Sequence, residues 1–219
     1  MAYLKTFSRR QITLFISLNL ALFWAVLMFR AFDLGAVEAG WRRVTSLDTV
    51  LMAALPLLAV VGLGLVGAHV KAVLVFWRPR FPLPGCRVFT QLAPADPRID
   101  LTIIAREYGE LPEEPMDQNR LWYKLFREYE ENERVADAHR LHLLTRDMTA
   151  LSAVFLIAFG LVAAIWGCPA KVTWMYLVFL AIQYVTVATA ARNYGNRFAT
   201  TVLAEASAKL AGALGQAPG

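Results

Sequence analysis

Apolar residues in this chain gather into long runs, with one extended polar interruption between the second run and the third. The runs cover residues 12–29, 49–76, 149–166 and 172–191. Each is long enough to cross the roughly 30 Å hydrocarbon core of a bilayer at about 1.5 Å per helical residue. The interruption, residues 77–148, has a different pattern. Leu121, Trp122, Leu125, Phe126 and Tyr129 recur at the spacing of one helix face, with Lys124, Arg127, Glu128 and Glu131 on the other. A break is expected near Glu131-Asn132-Glu133. Beyond it Val135, Ala138, Leu141, Leu144 and Met148 carry one stripe directly into the third run. The pattern predicts an all-α polytopic membrane protein, with four transmembrane helices and a small, mainly helical cytoplasmic insertion between spans 2 and 3.

Local signals refine these elements. Pro56 is expected to kink the second span, because proline removes a backbone donor and crowds the preceding turn. Three prolines in Arg78-Pro79-Arg80-Phe81-Pro82-Leu83-Pro84-Gly85 forbid a regular helix and favour an extended strap along the membrane surface. Residues 86–92 alternate weakly and read as a short strand. Residues 99–108 read as a short helix capped by Asp100, and Pro115 suits the first turn of the helix after it. Trp166-Gly167-Cys168-Pro169 stops the third span, and the turn that follows is short enough to make spans three and four an antiparallel hairpin. Arg192, Asn193, Gly195 and Arg197 end the fourth span. Phe198, Val202, Ala206, Leu210 and Leu214 then mark an amphipathic C-terminal helix, placed either on the membrane or against the insertion. The organisation is therefore an N-terminal hairpin (1–76), a cytoplasmic module (77–148), a C-terminal hairpin (149–191) and an amphipathic tail (192–219).

Charge supplies the orientation. Lys5, Arg9 and Arg10 precede span one; Arg78, Arg80 and Arg87 follow span two; Arg134, Arg140 and Arg146 precede span three; Arg192 and Arg197 follow span four. Basic residues concentrate on the cytoplasmic side of membrane proteins, so both termini and the module are expected in the cytoplasm. Arg42 and Arg43, in the first outer loop, run against this. The net charge of +5 is explained by these flanks. Acids and bases roughly balance in the module, so no direct nucleic-acid binding is expected. The basic start of the chain leads into a run with no small-residue cleavage site, which reads as a retained first helix. Cys86 and Cys168 fall on opposite sides of the expected bilayer, which argues against an intrachain disulfide. No phosphate loop, dinucleotide fingerprint, Gly-x-Ser-x-Gly elbow or His-Glu-x-x-His occurs, so neither an enzyme nor a cofactor is expected.

Several residues stand out as sites. Asn19 and Gln183 are amides in the middle of spans, where each needs a partner; helix packing is the favoured role and pore lining the alternative. Gly62, Gly64 and Gly67 leave room for close helix contact, within the chain or between subunits. His69 and Lys71 mark emergence into the headgroups, where a lysine can snorkel. Asn119, Arg120 and Tyr123 are candidates for a partner interface. His139 and His142 stand at i,i+3, spacing that suits a metal pair but also suits ordinary polar positions above the headgroups. His142, Arg146 and Asp147 lie where the module enters span three and form a candidate coupling element. Arg146-Asp147 reads either as a lock to a partner across the bundle or as an interfacial pair pointing to different faces.

The spans carry no ionisable residue at mid-membrane, which lowers the expectation of a stand-alone ion carrier. The layout resembles the small multi-pass membrane components of bacterial anti-phage systems, such as the membrane subunit of Kiwa, in architecture and not in any motif. The resemblance implies a bacterial inner-membrane location. The expected function is a non-enzymatic homo-oligomer, embedded in membrane lipid. Its module senses a signal or binds a soluble cytoplasmic protein and couples that event to the spans, with pore opening as one outcome. The alternatives are a passive anchor or scaffold for a soluble protein, and a stand-alone channel or transporter.

Overall fold

The computed structural model describes residues 2–29, 61–165 and 168–215. The expected linker 30–48, the kink at Pro56 with the rest of residues 49–60, Trp166-Gly167 and the last residues 216–219 lie outside them. Every regular element among the described residues is helical. Among the described residues three helices are long and apolar enough to cross a membrane: α1 (Ala2–Phe29), α5 (Glu133–Ile165) and α6 (Ala170–Gly215). That is the composition of a membrane protein.

The second expected span is not one continuous helix in its described part. Residues 61–65 are helical, the chain bends at Val66-Gly67, and α2 (Ala68–Phe76) starts afresh. The Gly67 carbonyl accepts from Lys71 N at 3.0 Å. Three glycines within six residues, Gly62, Gly64 and Gly67, lower helix propensity at this point. After α2 come the irregular strap and three short helical turns, Pro84–Arg87, Val88–Leu92 and Ala93–Ala95. The strand expected at 86–92 is therefore corrected. The Gln118 side-chain oxygen accepts from Phe89 N at 3.1 Å and Thr90 N at 3.4 Å, satisfying amides that a strand would give to a ladder. Asp100 caps α3 (Leu101–Tyr108), accepting from the backbone of Thr102 and Ile103. Pro115 opens α4 (Pro115–Tyr129). The break after α4 falls where the sequence predicts it. Asn132 Oδ1 accepts from Arg134 N at 2.9 Å and Val135 N at 3.4 Å, capping α5.

Two compact units are built from these elements. The first combines Met1–Leu74 with Arg146–Ala188, and the second combines Val75–Thr145 with Thr189–Gly219. Helices α2, α5 and α6 contribute residues to both.

In the first unit α1, α5 and α6 pack through large side chains. Ile16, Leu20, Phe23 and Val26 of α1 meet Leu151, Phe155 and Phe159 of α5 and Tyr176 and Leu180 of α6. Phe23 stacks on Phe159 at 4.2 Å and Phe159 on Phe155 at 4.7 Å. Gly160 admits Leu177 so closely that a β-carbon there would overlap its side chain. The outward face is as apolar as the core: Leu14, Leu18, Ile157, Leu161, Trp174, Phe179 and Ile182 are exposed. Such a surface fits hydrocarbon and not water.

The second unit wraps α3, α4 and the short turns around the C-terminal half of α6. Val88, Phe89, Ile104, Trp122, Leu125, Phe126 and Val135 bury against Phe198, Ala199, Val202, Leu203 and Ala206. The amphipathic segment read as a separate tail is thus the same helix as the last apolar run, and it forms the centre of this unit's core. Gly195 does not end the helix. It is where Phe76 and His142 come close: a β-carbon would sit 2.7 Å from Phe76 Cζ and 2.9 Å from the His142 ring.

Candidate functional site

Inside the first unit the two span amides find each other. Gln183 Nε2 donates to Asn19 Oδ1 at 3.0 Å, and Asn19 Nδ2 donates to its own helix at Phe15 O, 2.9 Å away. Asn19 is buried, so each amide removes the other's cost of lying in an apolar bundle. In a double-mutant cycle of Asn19→Leu and Gln183→Leu, measured by thermal unfolding in detergent, the expected coupling is about 1 kcal/mol. Additive losses would show that the pair contributes nothing as a pair. Gly62 and Gly64 meet no heavy atom within 4 Å of a built β-carbon among the described residues.

Asp147 is the polar hub of the same unit. It accepts from Lys71 Nζ at 3.1 Å and from Arg146 Nη2 at 3.3 Å. The Lys71 and Asp147 side chains are only 11% and 23% exposed, so the pair is well removed from solvent. Lys71 is therefore tied to α5 and does not simply snorkel outward. Of the two readings of Arg146-Asp147, the one with side chains pointing to different faces is corrected: Arg146 and Lys71 both donate to the Asp147 carboxylate, and Lys71 is a partner from another helix.

In the second unit the histidines frame one ring. His139 stacks on Phe198 at 4.8 Å and His142 lies nearly parallel to the same ring at 6.0 Å. The i,i+3 spacing brings both imidazoles to one face of α5, and that face packs on Phe198 of α6. Among the described residues no group of three or more His, Cys, Asp or Glu side chains is placed to hold a metal. Both cysteines are free thiols. Burial pushes the Cys86 thiol pKa up, against the lowering effect of Arg87.

The three partner-interface candidates do not converge. Asn119 turns inward against Gly85, and its Oδ1 is buried without a hydrogen-bond partner among the described residues. Arg120 faces out, paired with Asp117 at 2.9 Å. Tyr123 is exposed beside Phe126. The anchor of α4 is Trp122, whose indole Nε1 donates to the Ala199 carbonyl at 3.1 Å.

A cavity of about 640 Å³ opens in the second unit. Arg134, Asp137 and Leu141 of α5 form one wall and Tyr194, Arg197, Thr201 and Glu205 of α6 the other, with Arg98 at the side. Its volume falls in the range of small-molecule pockets. The rim is held by ion pairs. Arg134 Nη1 donates to Glu205 Oε1 at 3.1 Å and Asn132 Nδ2 to Glu205 Oε2 at 2.9 Å, clasping the start of α5 to α6. Arg98 pairs with Asp96 at 2.6 Å, and hydrogen bonds from Arg98 lower the Asp96 pKa to about 2. No signal in the linear pattern marks this cavity: Ala138 and Leu141 of the α5 stripe line it beside polar residues, and only helix packing brings its two walls together. The lining offers the guanidiniums of Arg98, Arg134 and Arg197, the carboxylates of Asp137 and Glu205, and the hydroxyls of Tyr194 and Thr201. These groups can hold a ligand by charge and hydrogen bonding. Compared with protein-family models, curated proteins and solved structures, the chain finds no match.

Proposed function

We propose that this is an oligomeric, four-span membrane protein whose cytoplasmic module binds an intracellular ligand or soluble protein and passes that event to the spans. One observation carries the reading. The cavity walls belong to α5 and α6, and each of those helices runs unbroken into an apolar segment long enough to cross a membrane. Anything that fills the cavity bears on the same two rods that continue as spans, and packed helices shift as units. The polar contacts around Asn19 and Asp147 then define the bundle states on which the shift acts. The resemblance to anti-phage membrane components supplies a setting in which a sensor or effector of this kind works. Pore opening is one output consistent with it.

The test plugs the cavity and reads the spans. Ala208→Trp places a large side chain at the exposed rim of the cavity. Spin labels at positions 157 and 179, both outward-facing, report on α5 and α6 in a background where Cys86 and Cys168 are replaced. A shifted or broadened distance distribution is expected on plugging. An unchanged distribution would mean that the module is a passive anchor, with no coupling to the spans.

A further inference from the structure

Arginines gather where α2 ends and the strap begins. Arg192 Nε and Nη2 donate to the Val75 carbonyl at 3.3 and 3.2 Å, and its guanidinium lies 4.4 Å from the centre of the Trp77 ring. Arg87 approaches the next residue in line: its guanidinium is 5.2 Å from the Phe76 ring centre, and its Nη2 donates to Asn196 Oδ1 at 3.0 Å. Arg78 follows Trp77 directly and is exposed. Among the described residues none of these three arginines has a carboxylate partner.

Arg87 is the unusual member. It is only 8% exposed, and its Nη1 is buried with no hydrogen-bond partner among the described residues. A structural arginine normally spreads its donors over carbonyls or carboxylates, as Arg192 does on Val75. Burying a guanidinium without a counter-charge is costly, and one amide oxygen and one ring face compensate it in part only. Burial lowers the Arg87 pKa below the ordinary arginine value, and repulsion from Arg78 and then Arg192 adds to the effect. The backbone here is strained as well. Trp77 and Phe81 have φ of 53° and 50°, left-handed values that bulky residues rarely adopt. Strain of this kind persists where the surroundings impose it, and it recurs at ligand-binding clamps. Here it brackets Arg78-Pro79-Arg80.

We propose that Arg78, Arg87 and Arg192 form a binding site for a phosphate group, carried by an anionic phospholipid headgroup or by a soluble phosphate compound. Planar guanidiniums bind tetrahedral oxyanions through paired N–H donors, and several positive charges without acids favour an anion of more than one charge or with several acceptor oxygens. The site is distinct from the cavity between α5 and α6.

Native mass spectrometry of the full chain, in a neutral detergent free of phosphate, tests this. The probes are dioleoyl phosphatidylglycerol, dioleoyl phosphatidylcholine and inorganic phosphate. Expected is one tightly held phosphatidylglycerol or phosphate per chain, with phosphatidylcholine at background. Arg78→Gln and Arg87→Met should each weaken that binding about tenfold or more. Retention of phosphatidylglycerol alone assigns a lipid source, and retention of inorganic phosphate assigns a soluble one. Arg78 is exposed, so Arg78→Gln decides the matter even if Arg87→Met fails to fold. Binding of neither anion, or equal binding by wild type and Arg78→Gln, would overturn the proposal.

Discussion

Trp122→Ala is expected to destabilise the second unit by about 3–5 kcal/mol, the range for removing a large aromatic from a packed core. Four contacts set this size. The ring stacks on Phe126 at 5.8 Å and meets Phe198 edge-on at 5.3 Å. Its Nε1 donates to the Ala199 carbonyl. Gly85 lets the first short turn approach the six-membered ring, where a β-carbon would come within 2.9 Å of Trp122 Cε3. Removing the indole therefore opens a cavity at the meeting point of α4, α6 and the strap's end. Trp122→Phe separates the causes: it keeps most of the apolar contact, loses the hydrogen bond, and should cost about 1 kcal/mol for that bond plus a modest packing loss. The chain forms two units, and a loss confined to the second is best read locally. Hydrogen exchange read by mass spectrometry is the suitable measurement. Peptides covering 115–129 and 198–206 should lose protection while those covering 12–27 and 150–160 keep theirs. Unaltered protection at 115–129 would sink the assignment of Trp122 as the anchor.

Asp147→Ala has the second large expected effect, about 3 kcal/mol, at the lower end of what breaking a buried ion pair costs. The loss comes less from the attraction removed than from the charge left behind. Lys71, with its side chain 11% exposed, would keep its ammonium in the first unit without the carboxylate that compensates it. Arg146, half-freed on the same face, would add to the imbalance. The double variant Lys71→Met/Asp147→Leu replaces both charges with apolar groups of similar reach and should recover much of the loss. Thermal unfolding in mild detergent across the full cycle measures the coupling directly. If Asp147→Ala unfolds within about 0.5 kcal/mol of wild type, the cost of an ordinary surface change, the pair is solvated and does not organise the bundle.

Helix identity and punctuation in this chain were largely legible because their causes lie within a few residues. The 3.6-residue stripe through Leu121, Leu125 and Tyr129 is the stripe that α4 buries, apart from partly exposed Leu121. The caps at Asp100 and Asn132 and the start at Pro115 are chemistry of the backbone amides next to them. What escaped notice depends on distant partners. The segment 86–92 alternates like a strand, yet an amide side chain from α4 takes up its N–H groups, so no ladder is needed. Gly195 beside Arg197 has the look of a helix stop, yet the helix runs on through it, and the glycine makes room for Phe76 and His142, which occupy the space a side chain would need. Lys71 has the look of a snorkelling lysine until Asp147, 76 residues on, is found against it.

The sites divide in the same way. Asn19 and Gln183 each announce themselves as amides inside apolar runs, since an isolated amide in hydrocarbon needs a partner. That each is the other's partner is a fact of helix packing. By itself, then, the sequence determined that the chain is helical, where most helices begin and end, and which segments are apolar enough for a membrane. Those properties follow from local periodicity, capping and transfer energy. Only the tertiary structure decided which charges pair, that the C-terminal segment is the core of the module, and that Arg87 is buried without a carboxylate. These depend on which residues far apart in the chain meet once helices pack, and no local pattern encodes that.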